Sequence, residues 1–292
     1  MLYGALEAGG TKMVMAVGTE NGEILEQVSV PTRTPSVTIP EVINHFKDKD
    51  IKALGIGSFG PIDLDRSSKT YGYITSTPKL AWVNYDIVGN IRSAINIPVG
   101  FDTDVNAAVL GEATWGSIKG LSSGIYITVG TGIGVGVYLN GTLLHGMLHP
   151  EAGHILLNKH PKDDFGGVCP YHPNCMEGLA SGPSIEKRYG KKATELESSS
   201  MAWEIEAYYL AQGIASYILT LSPHKIVLGG GVMNQAQLFP LIRAQAAKLL
   251  NGYIRTPQMD DLDHYIVPAA LNGRQGILGC IRLAILEQSL CI

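Results

Sequence analysis

Residues 169–175 read Cys-Pro-Tyr-His-Pro-Asn-Cys, which sets Cys169, His172 and Cys175 at matched spacing with two residues in each interval. Thiolate and imidazole donors are what tetrahedral Zn2+ takes, and a structural site closes with four of them. Two prolines hold this loop extended, and two free thiols in an exposed loop would otherwise be open to oxidation. The fourth donor must come from nearby. His154 is the best candidate, with His145, His149 and His160 as rivals. Four protein ligands leave no position for a metal-bound water, which argues against a zinc hydrolase.

Two turns carry a different chemistry. Gly9, Gly10, Thr11 and Lys12 follow one apolar run, and Gly130, Thr131 and Gly132 follow another. Successive backbone N–H groups in a glycine-rich turn form an anion-binding nest, and threonine adds a hydroxyl donor. These are candidates to hold nucleotide phosphates, although neither matches the Walker or Rossmann pattern. A third run, Gly229, Gly230 and Gly231, lies between a strand and a helix. Three consecutive glycines cost more chain entropy than a turn needs, so a nucleotide base and ribose are expected there.

Asp104 stands where a strand gives way to a helix, in Phe-Asp-Thr-Asp-Val-Asn. A carboxylate is structurally welcome at a helix start. The chemical reading is that Asp104 accepts the proton of an attacking hydroxyl, with Asn106 close by to bond a sugar. Glu151, His154 and Glu177 sit among Gly, Pro and apolar residues, a setting suited to the directed hydrogen bonds a polyol requires.

The elements that must position these residues form a repeat. In 2–30 an apolar run reaches a turn with Thr11, a second run follows, then Asn21-Gly22 and a third run; 124–146 repeats this order through Gly130-Thr131 and Asn140-Gly141. Asn-Gly between apolar runs signals a hairpin, because both residues tolerate the positive φ of a type I′ turn. After the first meander the pattern predicts helix 38–49, strand 53–58, helix 85–96, strand 99–102 and a helix from Asp104. After the second it predicts helix 201–221, strand 225–228, helix 235–250, strand 265–268 and helix 274–288. The expected fold is α/β, with two domains of mixed sheet and a cleft between them. The expected divisions are a small N-terminal domain at 1–115, with the last helix (274–292) packing back on it, and a larger domain at 116–273 with a metal-binding insertion at 145–180.

Composition narrows the class. Of 292 residues, 45% are apolar and 16% charged, which is globular and not disordered. No charge-free run approaches the ~18 residues of a membrane span. Glu7 interrupts the first apolar run and no basic segment precedes it, so a cytoplasmic protein is expected. A net charge of −4 without a basic block argues against a nucleic-acid partner. The cysteines are Cys169, Cys175, Cys280 and Cys291, and in a cytosolic chain metal ligation is the better default for the close pair.

Together these segments resemble the ROK family of sugar kinases and sugar-responsive repressors, over essentially the whole chain. Residues 7–12 (Glu-Ala-Gly-Gly-Thr-Lys) look like the family's first phosphate loop, with Glu7 where Asp is usual. The run from Val129 to His154, ending Pro-Glu-Ala-Gly-His, looks like the family signature. The resemblance implies the duplicated actin-like, ribonuclease-H-like fold. It implies Asp104 as catalytic base and Glu151, His154 and Glu177 as sugar-contacting residues; Thr103, Asp104 and Asn106, at the strand-to-helix corner, are expected to bind the sugar with them. For the zinc site it implies His154, Cys169, His172 and Cys175. For ATP it implies Thr11, Thr131, Pro183, Gly230, Gly231, Val232, Met233 and Asn234; the glycine turns read above add Gly9, Gly10, Lys12, Gly130, Gly132 and Gly229, and Glu7 is expected to orient Mg2+ or its waters. Asp-Thr-Asp at 102–104 and the sequence of the Cys-rich loop are similar to the bacterial fructokinase branch, which points to fructose before glucose or mannose. A catalytically silent sugar sensor is the alternative. The chain starts at its first strand, so the helix-turn-helix of the repressor branch is not expected, and a homodimer is.

Overall fold

The computed structural model describes residues 1–290, so Cys291 lies outside the described residues. The chain forms two compact units. The first comprises Met1–Gly120, Thr142–Pro150 and the stretch from Ala270; the second comprises Leu121–Gly141 and Glu151–Ala269.

In the first unit, β1 (Leu2–Ala8), β2 (Lys12–Thr19), β3 (Ile24–Pro31), β4 (Leu54–Ser58) and β7 (Val99–Thr103) form one sheet in the order β3-β2-β1-β4-β7. β1 pairs antiparallel with β2, Leu2 opposite Thr19, and parallel with β4, Gly4 opposite Leu54. β4 pairs parallel with β7, Ser58 opposite Thr103. A two-stranded ladder of β5 (Tyr73–Ile74) and β6 (Tyr85–Asp86) stands apart.

β4 and β7 are buried at every position, as strands covered on both faces must be. One face meets α10 (Gln275–Leu290), which also packs along α3 (Asp104–Trp115). Contact there is backbone to backbone. A Cβ on Gly55 would run into the Cys280 carbonyl, and one on Gly279 into the Ala107 carbonyl. On the same unit, Leu6, Met13, Met15, Phe46, Leu54, Ile56, Ile62, Ile74 and Trp82 make a core with α1 (Pro35–Phe46) and α2 (Ile87–Ile95).

A second five-stranded sheet repeats the plan. β8 (Gly124–Val129), β9 (Ile133–Leu139), β10 (Thr142–Leu143), β11 (Ile226–Gly229) and β12 (Ile266–Pro268) run in the order β10-β9-β8-β11-β12. The pairings match as well: β8 is antiparallel to β9 and parallel to β11, and β11 is parallel to β12. The long α6 (Ala202–Leu221) packs on α7 (Leu238–Leu250). The duplication expected from the two Asn-Gly meanders is therefore present in strand order and direction.

The two hairpin turns are not alike. Asn140 (φ 51°) and Gly141 (φ 81°) are both left-handed, as a two-residue type I′ turn requires. At the first hairpin only Gly22 is left-handed (φ 82°), and its N–H donates to the Thr19 carbonyl at 3.0 Å. Four residues separate β2 from β3 there, so the chain turns before Gly22 and needs one left-handed residue to rejoin the ladder. Helix boundaries also shift. α1 begins at Pro35 rather than 38, since proline is favoured in a first turn. α7 begins at Leu238 because Val232–Asn234 forms a separate 3-10 turn.

Four short helices were not anticipated: α4 (Met176–Ala180), α5 (Gly182–Tyr189), α8 (Pro257–Asp260) and α9 (Leu262–Tyr265).

Candidate active site and metal centre

In the first unit the carboxyl ends of parallel strands β1, β4 and β7 carry the polar groups, the usual place for a ligand in an α/β sheet. β1 ends beside the turn of Gly9, Gly10 and Thr11. The Gly9 carbonyl accepts from Thr32 Oγ1 at 2.7 Å, and the Thr11 carbonyl accepts from Thr32 N at 2.9 Å. The turn is thus held from β3's end while the Thr11 side chain stays exposed. Burial pushes the Glu7 carboxyl upward, and the Lys12 charge offsets part of that.

At the β7–α3 corner Thr103 is the N-cap, its Oγ1 accepting from Asn106 N at 3.1 Å. Asp104 is the first residue of α3, and its Oδ1 accepts from Val105 N at 2.8 Å. Asp102, only 3% exposed, had no assigned role in the sequence reading. Its Oδ1 accepts from Thr103 N at 2.8 Å and from Asn106 Nδ2 at 2.7 Å, and its Oδ2 lies 2.8 Å from His145 Nε2. Asn106, 1% exposed, therefore commits its amide N–H to Asp102. The hydrogen bond to Asp102 raises the His145 pKa. His149 behaves oppositely: its Nε2 accepts from Ile62 N at 3.1 Å, and burial lowers its pKa. Neither histidine joins the cysteines.

In the second unit two glycine runs and Gly182 come together. Gly182 N donates to the Gly130 carbonyl at 2.7 Å, and Gly130 N to the Gly132 carbonyl at 2.9 Å. A Cβ on Gly130 would lie 3.9 Å from Gly231 N. Gly230 is left-handed (φ 90°), and a side chain there would strike the Val129 backbone. Pro183 sits in the first turn of α5, and Val232 and Met233 are buried beneath the 3-10 turn that Asn234 closes. The Thr131 side chain is exposed.

His154, Cys169, His172 and Cys175 present donor atoms that all lie within 4.8 Å of one another. His154 Nδ1 is 3.8 Å from Cys169 Sγ and 3.6 Å from Cys175 Sγ, and His172 Nδ1 is 3.8 Å from Cys169 Sγ. Around tetrahedral Zn2+, S and N ligands stand ~3.6 Å apart, so the donor set fits that ion. Burial pushes the Cys175 thiol up to about 11, and a cation would be needed to hold it as thiolate. Gly178 N donates to Cys175 Sγ at 3.3 Å. Among the four histidines weighed from sequence, His154 is the one that joins this cluster.

Beyond the cluster, His154 Nε2 lies 3.8 Å from Glu177 Oε1, and Glu177 Oε2 accepts from Ile133 N at 3.0 Å. Desolvation, with the Glu177 charge adding to it, pushes the Glu151 carboxyl up to about 7.

The sequence pattern of the ROK family matches residues 3–287. The chain belongs to the ROK family. It is 51% identical to a putative fructokinase of Bacillus subtilis, covering 97% of this chain and 95% of that one. It is 46% identical to a fructokinase of Pediococcus pentosaceus over 97% and 98% of the two chains. Its structure is similar to the ROK hexokinase of Thermus thermophilus, with a TM-score of 0.81, 27% identity and 99% of each chain covered. The fold of this ROK protein is the duplicated actin-like, ribonuclease-H-like one. Among the described residues no helix is long and apolar enough to cross a membrane.

Proposed function

We propose that this chain is an ATP-dependent fructokinase, transferring the γ-phosphoryl group of MgATP to the 6-hydroxyl of fructose. The observation that carries the reading is Asp104, a carboxylate held at a capped helix start beyond the end of a parallel strand. Relatives named fructokinase, aligned over nearly the full length, support fructose as the acceptor before glucose or mannose.

Asp104 accepts the proton of the sugar hydroxyl as its oxygen bonds to the γ-phosphorus. The bond from that phosphorus to the β–γ bridging oxygen breaks, leaving ADP. Phosphoryl transfer has a loose transition state, so positioning and charge neutralisation matter more than base strength. Thr11 and Thr131, with the backbone of their turns, are the assigned phosphate donors. Gly229, Gly230 and Gly231, with Pro183 and the 232–234 turn, are assigned to base and ribose. Glu151, His154 and Glu177 are assigned to the sugar. Mg2+, when bound, screens phosphate charge, and Glu7 is the carboxylate assigned to orient it.

His154, Cys169, His172 and Cys175 are read as a structural zinc site, on the fit of their spacings to a tetrahedral ion. The reading further holds the protein to be a cytoplasmic homodimer, which light scattering tests.

ADP release measured with MgATP across fructose, glucose, mannose and N-acetylated hexoses tests the assignment. The expected result is the highest kcat/KM with fructose. Sugar binding without turnover would make the chain a sensor instead.

A further inference from the structure

Gly10 has the Lys79 side chain laid across it: a Cβ built on Gly10 would come 3.0 Å from Lys79 Cε and 3.9 Å from its Nζ. The two residues lie far apart in sequence, and nothing in the Thr-Pro-Lys-Leu context of Lys79 marks it for chemistry. The structure holds Lys79 from both sides. Its N–H donates to Thr77 Oγ1 at 3.3 Å, and its carbonyl accepts from Trp82 N at 2.8 Å. Trp82 is buried and anchored, its indole N–H donating to the Arg33 carbonyl at 2.8 Å and its ring meeting Phe59 and Tyr85 edge to face. Both flanks of the lysine are thereby pinned, which lowers the entropy cost of directing its long stem.

Among the described residues the Lys79 ammonium has neither an ion-pair partner nor a side-chain hydrogen bond. Lys12, the lysine within the turn's own segment, instead lies close enough to Glu7 to act on its carboxyl. A directed, unpaired ammonium above a glycine turn calls for an anion. A neutral hexose makes no use of a full positive charge, whereas the transferring phosphoryl group spreads charge over three oxygens that cations must neutralise. Lysine serves such a group as a compact point charge.

We propose that Lys79 is a phosphate-binding residue, its ammonium neutralising the γ-phosphoryl group held at Gly9, Gly10 and Thr11. This rests on the assignment of that turn to nucleotide phosphates.

Lys79→Met keeps the stem and removes the charge, and Lys79→Arg keeps the charge. The Met variant is expected to lose about 100-fold or more in kcat, the scale for removing one transition-state charge contact, with fructose KM within about threefold. By calorimetry it should bind AMP-PNP about tenfold more weakly and AMP unchanged, and Arg should restore part of the rate. Melting curves establish that each variant is folded, and Lys79→Gln carries the same comparison if Met is not. A wild-type chain without hexose-dependent ADP release overturns the kinase reading itself. A wild-type kinase in which Lys79→Met keeps kcat within about threefold, or loses AMP and AMP-PNP affinity alike, overturns this inference alone.

Discussion

Glu177 Oε2 accepts the Ile133 backbone N–H at 3.0 Å, which ties α4 to the strand leaving the second glycine turn. The contact is close enough that a Cβ on Gly132 would meet the same oxygen. The other carboxylate oxygen lies 3.8 Å from His154 Nε2. One side chain thus reaches both a histidine of the Cys/His cluster and the turn assigned to phosphate. Glu177→Ala should therefore raise KM for ATP as well as for sugar and lower kcat/KM by about 100-fold. Glu177→Gln keeps an acceptor for Ile133, so its ATP KM should stay within about threefold while the sugar KM rises. Steady-state kinetics with each substrate varied decides the matter; an Ala variant that changes the sugar KM alone would show that the Ile133 contact has no part in nucleotide binding.

Zinc removal should act locally. The ends of the Cys-rich segment are already held by the backbone: Leu157 N donates to the Asn174 carbonyl at 2.9 Å and Met176 N to the Ile155 carbonyl at 2.9 Å. Farther out, Arg188 pairs with Asp163 at 3.1 Å in a buried setting and also donates to the Leu179 carbonyl at 2.7 Å. The apparent binding energy of a structural zinc, of order 10–16 kcal/mol, would therefore fall chiefly on residues 169–175. Metal analysis should find one zinc per chain. Chelation should speed hydrogen exchange in that loop and leave β8 and β9 protected, while sugar turnover is lost. A metal-free preparation with full activity and a protected loop would remove zinc from the account.

Asp104→Asn should lower kcat by about 10²–10⁴-fold, the range for general-base assistance, with the sugar KM nearly unchanged. Asp102→Asn offers a contrast. It leaves Asp104 in place but weakens the hold on His145, so a smaller fall in kcat is expected, and His145 should lose its raised pKa. Proton NMR of the imidazole against pH reads the second effect directly. An Asp104→Asn enzyme with near-normal turnover would falsify its role as base.

Much of the architecture was legible because its signals are local. Asn140-Gly141 and Asn21-Gly22 between apolar runs mark the hairpins, and unbroken apolar strands mark burial on both faces. The cysteine loop was legible for the same reason, since Cys169, His172 and Cys175 share one short segment. The fourth donor needed the fold to choose among four histidines, and only His154 lies beside the thiols. Asp102 was passed over because a carboxylate within a strand has no pattern that announces its partners. Lys79 was missed because its significance lies wholly in Gly10, which no periodicity connects to it. The short α4 and α5 meet at Ser181 and Gly182, and Pro183, named in the sequence analysis only for a nucleotide contact, stands in the first turn of α5.

Glu206 offers a test of stability separate from catalysis. It lies on α6, 1% exposed, and neither carboxylate oxygen finds a hydrogen-bond partner. Arg188 is near, and one of its own nitrogens, Nη1, is likewise unpaired, as is the Tyr189 hydroxyl. Burial pushes the Glu206 pKa well above the ordinary carboxylate value, and the Arg188 charge brings it back only in part. The folded state therefore binds this proton more tightly than the unfolded chain, in which glutamate titrates at about 4.3. The associated stability is complete below that unfolded value and is lost as pH rises through the folded one. Glu206→Gln keeps the shape and cannot ionise. Its melting temperature should exceed that of wild type at pH 8, and the gap should close as the pH falls to about 4. Catalytic constants should not change. A variant that melts below wild type at pH 8, or by the same margin at every pH, would show that Glu206 stays ionised and paired with Arg188 in the folded protein.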